Sequence, residues 1–218
     1  MTALKLIIGN KNYSSWSLRP WLALRQMGLD FEEIRIPLYQ EGAAAQLRRY
    51  SPAGKVPILQ HGAVTVWDSL AILEYLAEQF PDRPWWPEEP TARAIARSIA
   101  AEMHSGFLQV RQHLPMNIRA SYPNREFTAE THAEIERILT IWRDCRQTYG
   151  SAGDFLFGPF AIADAMYAPV VFRFRTYGIA LDPICQAYAD TILALPALQP
   201  WITASHAEAE TLPQYEFA

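Results

Sequence analysis

The sequence predicts an α/β domain with the order βαβ–ββα, followed by an all-helical domain. Three observations support this prediction. Strand and helix patterns alternate over roughly the first eighty residues, a segment with four prolines in ten residues follows at 81–90, and only helical patterns appear beyond it. The chain has 218 residues, which is enough for two small domains. We therefore place the domains at 1–81 and 91–218, joined by a linker at 82–90.

The first half of the α/β domain predicts two strands around one helix. Leu4–Ile8 is a short apolar run typical of a buried strand. Ser17–Met27 has a broad apolar face, with Pro20 in the first turn, where proline is tolerated, and Gly28 at the C-terminus. Phe31–Ile36 places apolar side chains among charged ones and predicts the second strand.

The second half predicts a short helix, a hairpin and a longer helix. The polar, alanine-bearing stretch Glu41–Arg49 favours a short helix. Pro57–Gln60 and Val64–Trp67 are brief strands separated by a segment long enough for a hairpin turn. Ser69–Phe80 repeats its apolar residues at helical spacing and predicts an amphipathic helix.

Beyond the linker, five segments have helical patterns, and Pro169 predicts a kink in the third of them. They span Thr91 to about Arg119, Thr128–Tyr149, Ile162–Tyr177, Pro183–Leu195, and Ala197 to about Glu210.

Composition and motifs exclude several classes of function. The chain carries 19 basic and 23 acidic residues, a net charge of −4, so we expect neither a nucleic-acid nor a membrane partner. Two cysteines cannot form a disulfide framework, and no signal-peptide core precedes the first strand, so we expect a cytoplasmic protein. The histidines and cysteines lack metal-ligand spacing, so no metal is expected. Glycine-rich phosphate loops and the GxSxG elbow of hydrolases are absent from the sequence.

Three segments of the first domain carry candidate chemistry. The first is Tyr13–Arg19, where a strand leads into a helix; its serines either cap the helix or help to bind an anion at the helix N-terminus. The second is Ser51–Leu59, where Pro57 opens a strand and keeps Val56 extended. If the Val56–Pro57 bond is cis, the free backbone groups of Val56 turn toward the cleft and can pair with a peptide.

The third segment is the pair Asp68 and Ser69 at the start of the amphipathic helix. The pair is either an ordinary helix cap or a ligand site, in which Ser69 and its backbone N–H bind a carboxylate and Asp68 binds an amine. A ligand that carries a thiol, a peptide bond, a carboxylate and an amine would engage all three segments. Glutathione is such a ligand.

The three segments, in this order and at these spacings, resemble the cytosolic glutathione S-transferases over nearly the whole chain. Residues 4–80 resemble the thioredoxin-like domain of that family, and the helical remainder resembles its C-terminal domain. Four motifs carry the resemblance. SSWSLR at 14–19 is similar to the zeta-class motif SSCSxR, and SPAGKVP at 51–57 is similar to the family motif NPxGxVP, in which the proline is cis. Asp68-Ser69 is similar to a Glu/Gln-Ser pair, and residues 161–164 are similar to a Ser/Thr-x-x-Asp capping box. We expect a bacterial, zeta-like member of the serine class.

The resemblance implies roles for individual residues. Ser14 would activate the glutathione thiol as the thiolate, with Ser15 as the alternative and Tyr13 as a third candidate. A free thiol has a pKa near ~8.5, and only the thiolate attacks an electrophile. Glutathione, as a co-substrate rather than a resident cofactor, would be held by Lys55, Val56, Pro57, Asp68 and Ser69.

The electrophile is expected between the domains. On a continuous helix from Thr91 to Arg119, the residues His104, Phe107, Leu108 and Arg111 would share one face. This face, with Tyr13 and Trp16, would line the pocket, and Arg111 would hold an anionic substrate. The alternative is a packed domain interface with Arg111 in solvent. Arg173 and Arg175 are expected to be surface or interface charges.

Two departures from the family pattern affect the functional prediction. Trp16 stands where the zeta motif has cysteine, which puts maleylacetoacetate isomerase activity in doubt. Ala161 replaces the capping Ser or Thr, a loss of about 1 kcal/mol.

Three functions are compatible with these sequence features. The first is a glutathione transferase that conjugates small electrophiles, as in detoxification, with peroxidase activity on the side. The second is a glutathione-dependent isomerase, and the third is a binding module without turnover. The resemblance also implies a homodimer that packs the helical domain of one chain on the small domain of the other.

Overall fold

In the computed structural model, which describes residues 3–217, the N-terminal region is built on a four-stranded mixed sheet. Its strands are β1 (Leu4–Ile8), β2 (Phe31–Arg35), β3 (Ile58–His61) and β4 (Val64–Trp67). The order across the sheet is β2-β1-β3-β4, with β1 and β2 parallel and the pairs β1–β3 and β3–β4 antiparallel. The predicted βαβ–ββα order is confirmed.

The two faces of the sheet pack on different cores. Along β1, Leu6 and Ile8 face the main core. Ile7, between them, lies on the opposite face with Ile58 of β3 and Leu47. This alternation is the period-two pattern of a strand buried on both faces.

The helices of this region are α1 (Ser15–Gln26), α2 (Ala43–Arg48) and α3 (Ser69–Gln79). Helix α1 begins two residues earlier than predicted because Ser14 is its N-cap. Pro20 therefore lies in the second turn and not, as predicted, in the first. It has no N–H to donate to the carbonyl oxygen four residues earlier.

The remainder of the described chain is helical. Its helices are α4 (Pro90–Ser105), α5 (Leu108–His113), α6 (Ala129–Tyr149), α7 (Ile162–Thr176), α8 (Pro183–Ala194) and α9 (Gln199–Ala207). The domain boundaries at 81 and 91 stay predictions. No helix within residues 3–217 is both long enough and apolar enough to cross a membrane.

The prediction of one helix from Thr91 to about Arg119 is wrong, because the chain breaks between α4 and α5. Phe107 adopts the left-handed conformation, with φ 57°. Just before it, the N–H of Gly106 bonds the carbonyl of Glu102, and a Cβ at Gly106 would lie 2.8 Å from that oxygen. A glycine is therefore needed where α4 ends.

Helix α7 is the central element of the helical region, and it packs against both α1 and α4. The carboxylate of Asp164 accepts the N–H of Ala161 at 2.8 Å and that of Leu156 at 3.1 Å, so one half of the capping box is present without a Ser or Thr. Burial raises the pKa of Asp164 to about 7. Pro169 lies inside α7 and does not end it.

After α9 the chain returns to the N-terminal sheet region. The carboxylate of Glu208 accepts the backbone N–H groups of Lys11 at 2.5 Å and Asn12 at 3.0 Å. Arg119 donates to the carbonyl oxygens of Glu208 and Glu210. The C-terminal segment, residues 208–217, is thereby fixed beside the N-terminus of α1.

Candidate active site

Two neighbouring cavities lie beside the N-terminus of α1. The larger has a volume of about 550 Å³ and is lined in part by Tyr13, Ser14, Ser15, Arg111, Arg173 and Tyr215. The smaller has a volume of about 290 Å³ and includes Pro57, Asp68 and Ser69 in its lining. Trp16, Lys55 and Val56 line both cavities. The structure therefore brings the three predicted segments together around one cleft.

Ser14 both caps α1 and lines the larger cavity. Its Oγ accepts the N–H of Ser17 at 3.4 Å and donates to Ser17 Oγ at 2.8 Å. Ser17 Oγ in turn accepts the N–H of Gly9 at 3.1 Å. The helix-cap interpretation therefore holds for Ser14, which also lies on the cavity where the anion site was predicted.

Ser15 accepts a hydrogen bond from an arginine of the helical region. Arg173 Nη2 donates to Ser15 Oγ at 3.0 Å, and Arg173 Nη1 donates to the carbonyl of Leu114. Of the two predicted alternatives for Arg173, the surface charge is wrong and the interface charge is not, since the residue is only 5% exposed and lies where α7 packs on α1; it also lines the larger cavity. Burial and the nearby charge of Arg111 lower the pKa of Arg173 to about 10. Arg175, two residues on, is exposed.

The segment before β3 forms the boundary between the two cavities. The Val56–Pro57 peptide bond is cis, as the resemblance implies. Val56 is half-buried, Pro57 is buried and Lys55 is exposed at the rim. Backbone groups of Val56 are therefore available at the cleft for pairing with an extended ligand.

Asp68 is the N-cap of α3 and has a strained conformation, with φ 77° and ψ 135°. Its Oδ1 accepts the N–H of Leu70 at 2.9 Å and that of Ala71 at 3.3 Å. Its Oδ2 lies 3.3 Å from Nε2 of His104. Burial and nearby arginines lower the pKa of His104 against the opposing effect of Asp68. A strained residue of this kind is typical of a binding site.

Ser69 is bonded to a second buried arginine. Arg19 Nη1 donates to Ser69 Oγ at 3.1 Å, and Arg19 is only 1% exposed. Burial, together with the charges of Arg111 and Arg173, holds the pKa of Arg19 well below its usual value. The one sequence signal for this residue is its place at the end of the SSWSLR motif.

Trp16 lines both cavities and contacts two arginines. The guanidinium carbon of Arg19 lies 4.3 Å from the centre of its ring, and that of Arg111 lies 5.0 Å away. The His104 ring approaches it edge-on at 5.3 Å. Trp16 is half-buried, so it shapes the cleft as well as packing beneath it.

The four residues predicted on one helix face do not share a face, because the chain breaks at Phe107. Phe107 is buried in the main core and lines neither cavity, so we remove it from the electrophile pocket. Leu108 is 58% exposed. His104 contacts Asp68 and Trp16 and lines neither cavity. Arg111 does line the larger one, and it also donates to the carbonyl of Gly106 at 2.9 Å at the end of α4.

Aromatic residues close one side of the larger cavity. The ring of Tyr13 lines it, while the Tyr13 hydroxyl donates to Glu216 at 2.5 Å and accepts from Arg119 at 3.1 Å. Sequence reasoning missed two further tyrosines, Tyr39 and Tyr215, whose hydroxyl oxygens lie 3.3 Å apart. Tyr39 is 67% exposed, and nothing in the sequence indicates that the C-terminal segment returns to it.

No group of three or more His, Cys, Asp or Glu side chains within residues 3–217 is arranged to hold a metal ion. Both cysteines are buried, and burial raises the pKa of each thiol to about 12. The candidate chemistry of the cleft therefore depends on hydroxyl groups, backbone groups and arginines.

Comparison with known proteins identifies the family of the chain. The family description "Glutathione S-transferase, N-terminal domain" matches residues 13–79, and "Glutathione S-transferase, C-terminal domain" matches residues 125–204. Among solved structures, a glutathione transferase homologue from Burkholderia gl BGR1 with bound glutathione has a TM-score of 0.73 at 23% identity, covering 94% of this chain and 100% of that one. The Omega 2S transferase of Trametes versicolor has a TM-score of 0.74 at 19% identity, covering 99% and 100%. These structures share the fold.

Several relatives of the chain are named as maleylacetoacetate isomerases. A protein of Caenorhabditis elegans named "Probable maleylacetoacetate isomerase" is 31% identical over 174 residues, which is 78% of each chain. The maleylacetoacetate isomerase of Rattus norvegicus is 29% identical and covers 91% of this chain and 93% of its own. That of Pseudomonas aeruginosa is 27% identical, covering 90% and 94%. The chain belongs to the glutathione S-transferase family, and its named relatives are enzymes.

Proposed function

We propose that the protein is a glutathione transferase that binds glutathione along the cleft and activates its thiol for attack on a small electrophile. The observation that carries this proposal is the placement of Ser14 and Ser15 at one end of the cleft and of Asp68 and Ser69 at the other, with Val56 between them. An extended tripeptide with a thiol near its middle fits this sequence of partners.

Each end of glutathione has a matching group. The amine and carboxylate of its γ-glutamyl end would meet Asp68 and Ser69, and its peptide backbone would pair with Val56, next to Pro57. Lys55, exposed at the rim of both cavities, would attract a carboxylate. This arrangement leaves the thiol at the N-terminus of α1.

The thiol would be activated by a serine hydroxyl together with the positive end of the α1 dipole. Lowering a thiol pKa by two units requires about 2.7 kcal/mol of preferential stabilisation of the thiolate. One charge-assisted hydrogen bond and a helix N-terminus together supply energy of that order. Ser14 is the first candidate for this role by its motif position, and Ser15 is the second.

The electrophile would occupy the remainder of the larger cavity. Its volume of about 550 Å³ suits a small organic molecule. Tyr13 and Trp16 supply apolar surface there, and Arg111 supplies positive charge. His104 would contribute only indirectly, through its contacts with Trp16 and Asp68.

The second candidate function is glutathione-dependent cis–trans isomerisation of the maleylacetoacetate type. Two observations favour it: the relatives named as maleylacetoacetate isomerases, and the positions of Arg111 and Arg173 on the larger cavity, where they could hold an acidic substrate. Trp16, in place of the cysteine of the zeta motif, argues against it. A binding module without turnover is the third candidate, although such a module has no need of a serine that activates the thiol.

The protein is also proposed to act as a cytoplasmic homodimer. Val64 and Trp67 are about half exposed on β4, which is an edge strand of the sheet. Leu108 and Ile95 expose apolar surface in the helical region. Burial of Trp67 against this helical surface would join the small domain of one chain to the helical domain of another, and Trp67→Glu should then yield monomers in light scattering.

Calorimetric titration with glutathione tests the proposed function. Wild type should bind with micromolar to millimolar affinity, and Ser69→Ala should weaken binding about tenfold because it removes a buried partner of the carboxylate. Ser98→Ala, on the exposed face of α4, is the matched control and should leave the affinity unchanged. Absence of binding by wild type would contradict the proposal and favour a cleft for another ligand.

Assays of turnover then separate the candidate functions. An activated aryl chloride should be conjugated by wild type and at least tenfold more slowly by the less active of Ser14→Ala and Ser15→Ala. Turnover of maleylacetoacetate without conjugation would instead favour the isomerase. Glutathione binding without either activity would favour the binding module.

A further inference from the structure

We propose that Arg173 is a positioning residue for the thiol chemistry, which prepares Ser15 to donate a hydrogen bond to the glutathione sulfur. The inference rests on the proposed function, because it concerns the thiol end of the same cleft. It assigns a role to a residue of the helical region, and it gives the two neighbouring serines different roles.

The hydroxyl groups of Ser14 and Ser15 differ in whether their proton is already used in a hydrogen bond. Ser14 donates its proton to Ser17 Oγ at 2.8 Å, and its oxygen accepts the N–H of Ser17. Ser15 Oγ accepts from Arg173, and no oxygen within residues 3–217 accepts the Ser15 proton in return. Ser15 can therefore donate to a ligand atom without breaking an existing bond, whereas Ser14 must first release Ser17.

Arg173 strengthens Ser15 as a donor. A cation that donates to a hydroxyl oxygen draws electron density from it and makes its own O–H a stronger donor. The bond also fixes the orientation of Ser15, because Arg173 is held at its other nitrogen by the carbonyl of Leu114. Helix α7 thereby sets the position of a side chain on α1.

The positive charge around Ser15 is not neutralised by close carboxylates. In the described part of the chain, Arg19, Arg111 and Arg173 bond only neutral oxygen atoms, and none of them belongs to an ion pair. Burial of unpaired cations is costly unless an anion completes the site. A thiolate at Ser15 would supply that negative charge.

Other charged or titratable groups act on this region at longer range. Asp68 raises the pKa of Arg19, and Glu134 raises that of Arg111. Tyr177 and Tyr215 raise the pKa of Arg173. Lys55 lies across the larger cavity and adds positive charge. The balance around Ser15 stays positive, and it favours the thiolate over the thiol. The proton that leaves the sulfur passes to water, and no covalent bond forms or breaks in this step.

The test is the thiol pKa of bound glutathione, measured from the ultraviolet absorbance of the thiolate as the pH is raised at saturating glutathione. Arg173→Met removes the charge but keeps the length of the side chain. It should raise the bound-thiol pKa by about one unit, which is about tenfold less thiolate below the pKa. Arg173→Lys should recover part of the shift, because the charge returns without the bidentate geometry.

The matched control is Arg175→Met, which removes the same charge from an exposed position on the same helix. It should leave the thiol pKa unchanged. Ser15→Ala should raise the thiol pKa, and adding Arg173→Met to it should have a smaller effect than Arg173→Met has in wild type, because the two residues act through one bond. Ser15→Ala keeps the test decisive if Arg173→Met does not fold.

Three outcomes would overturn the inference. The first is normal glutathione binding and an unchanged thiol pKa in both Arg173→Met and Ser15→Ala. The second is a raised KM for an acidic electrophile in Arg173→Met with the thiol pKa unchanged, which would make Arg173 a substrate-binding residue. The third is strictly additive effects of the two substitutions. Failure of wild type to bind glutathione would instead contradict the proposed function itself.

Discussion

Arg19 and Ser69 join the two ends of the cleft through one buried hydrogen bond. Nη1 of Arg19 lies 3.1 Å from Oγ of Ser69, and the guanidinium of Arg19 stacks on Trp16. Helix α1, which presents Ser14 and Ser15, is therefore linked directly to the first residue of α3. A single buried side chain supports both the γ-glutamyl end of the proposed site and its thiol end.

Replacement of Arg19 tests this link. Arg19→Met should weaken glutathione binding about tenfold, because Ser69 loses the charged donor that orients it. The free energy of unfolding of the ligand-free protein should change little or increase, because an unpaired buried cation is removed. Calorimetry and urea unfolding measure the two effects. A large loss of stability with unchanged affinity would show that Arg19 is purely structural.

Cysteine substitution tests the placement of the thiol. Ser14→Cys or Ser15→Cys would bring a thiolate to the N-terminus of α1, where the helix dipole and nearby arginines stabilise it. The variant that lies against the glutathione sulfur should reduce a mixed disulfide of glutathione, which wild type should not do. A thiol–disulfide exchange assay measures this activity. If neither variant reduces the mixed disulfide, the thiol end of glutathione lies elsewhere.

The C-terminal segment depends on Glu208. Glu208→Ala would leave the buried N–H groups of Lys11 and Asn12 without acceptors, so we expect a loss of about 2 kcal/mol in unfolding free energy. Glu210→Ala is the matched control, because the carboxylate of Glu210 pairs with the more exposed Arg35 and should contribute less than about 1 kcal/mol. Equal losses in the two variants would contradict the proposed importance of the buried bonds.

We expect the free energy of unfolding to fall in acid because of Asp182, the N-cap of α8. Burial acts to raise its pKa, but hydrogen bonds from Cys185 and Arg143 outweigh that effect and lower the pKa to about 2. A carboxyl whose pKa is lowered in the folded state stabilises it above the unfolded pKa of about 4 and loses this effect as the pH falls toward 2. Asp182→Asn should show a smaller decline in unfolding free energy over that interval, in urea titrations at several pH values. An identical decline in both proteins would contradict the assignment.

Much of the fold could be predicted because it depends on local patterns. Short apolar and alternating runs predicted four strands, and two of them, Leu4–Ile8 and Val64–Trp67, have the observed bounds; helical spacing predicted α3 to within one residue. The break between α4 and α5 was missed because the apolar pattern continues across it. The break depends on Gly106 and on the left-handed conformation of Phe107, and neither interrupts helical spacing in the sequence.

Only part of the site could be predicted from the sequence, because some of its contacts join residues that are distant in the chain. Ser14, Val56 and Ser69 lie in compact motifs, so they could be found by position. Arg173 lies more than 150 residues from its partner Ser15, and its neighbours give no sign that it crosses to α1. Contacts between distant segments follow from the packing of α7 on α1, and such packing leaves no local signature.

The most direct test of the central proposal is the thiolate absorbance of glutathione bound to the wild-type protein, followed as the pH is raised. We predict a thiol pKa at least one unit below the value of about 8.5 for a free thiol. A bound thiol with an unchanged pKa, or no saturable binding at all, would contradict the account of this cleft as a site that activates glutathione.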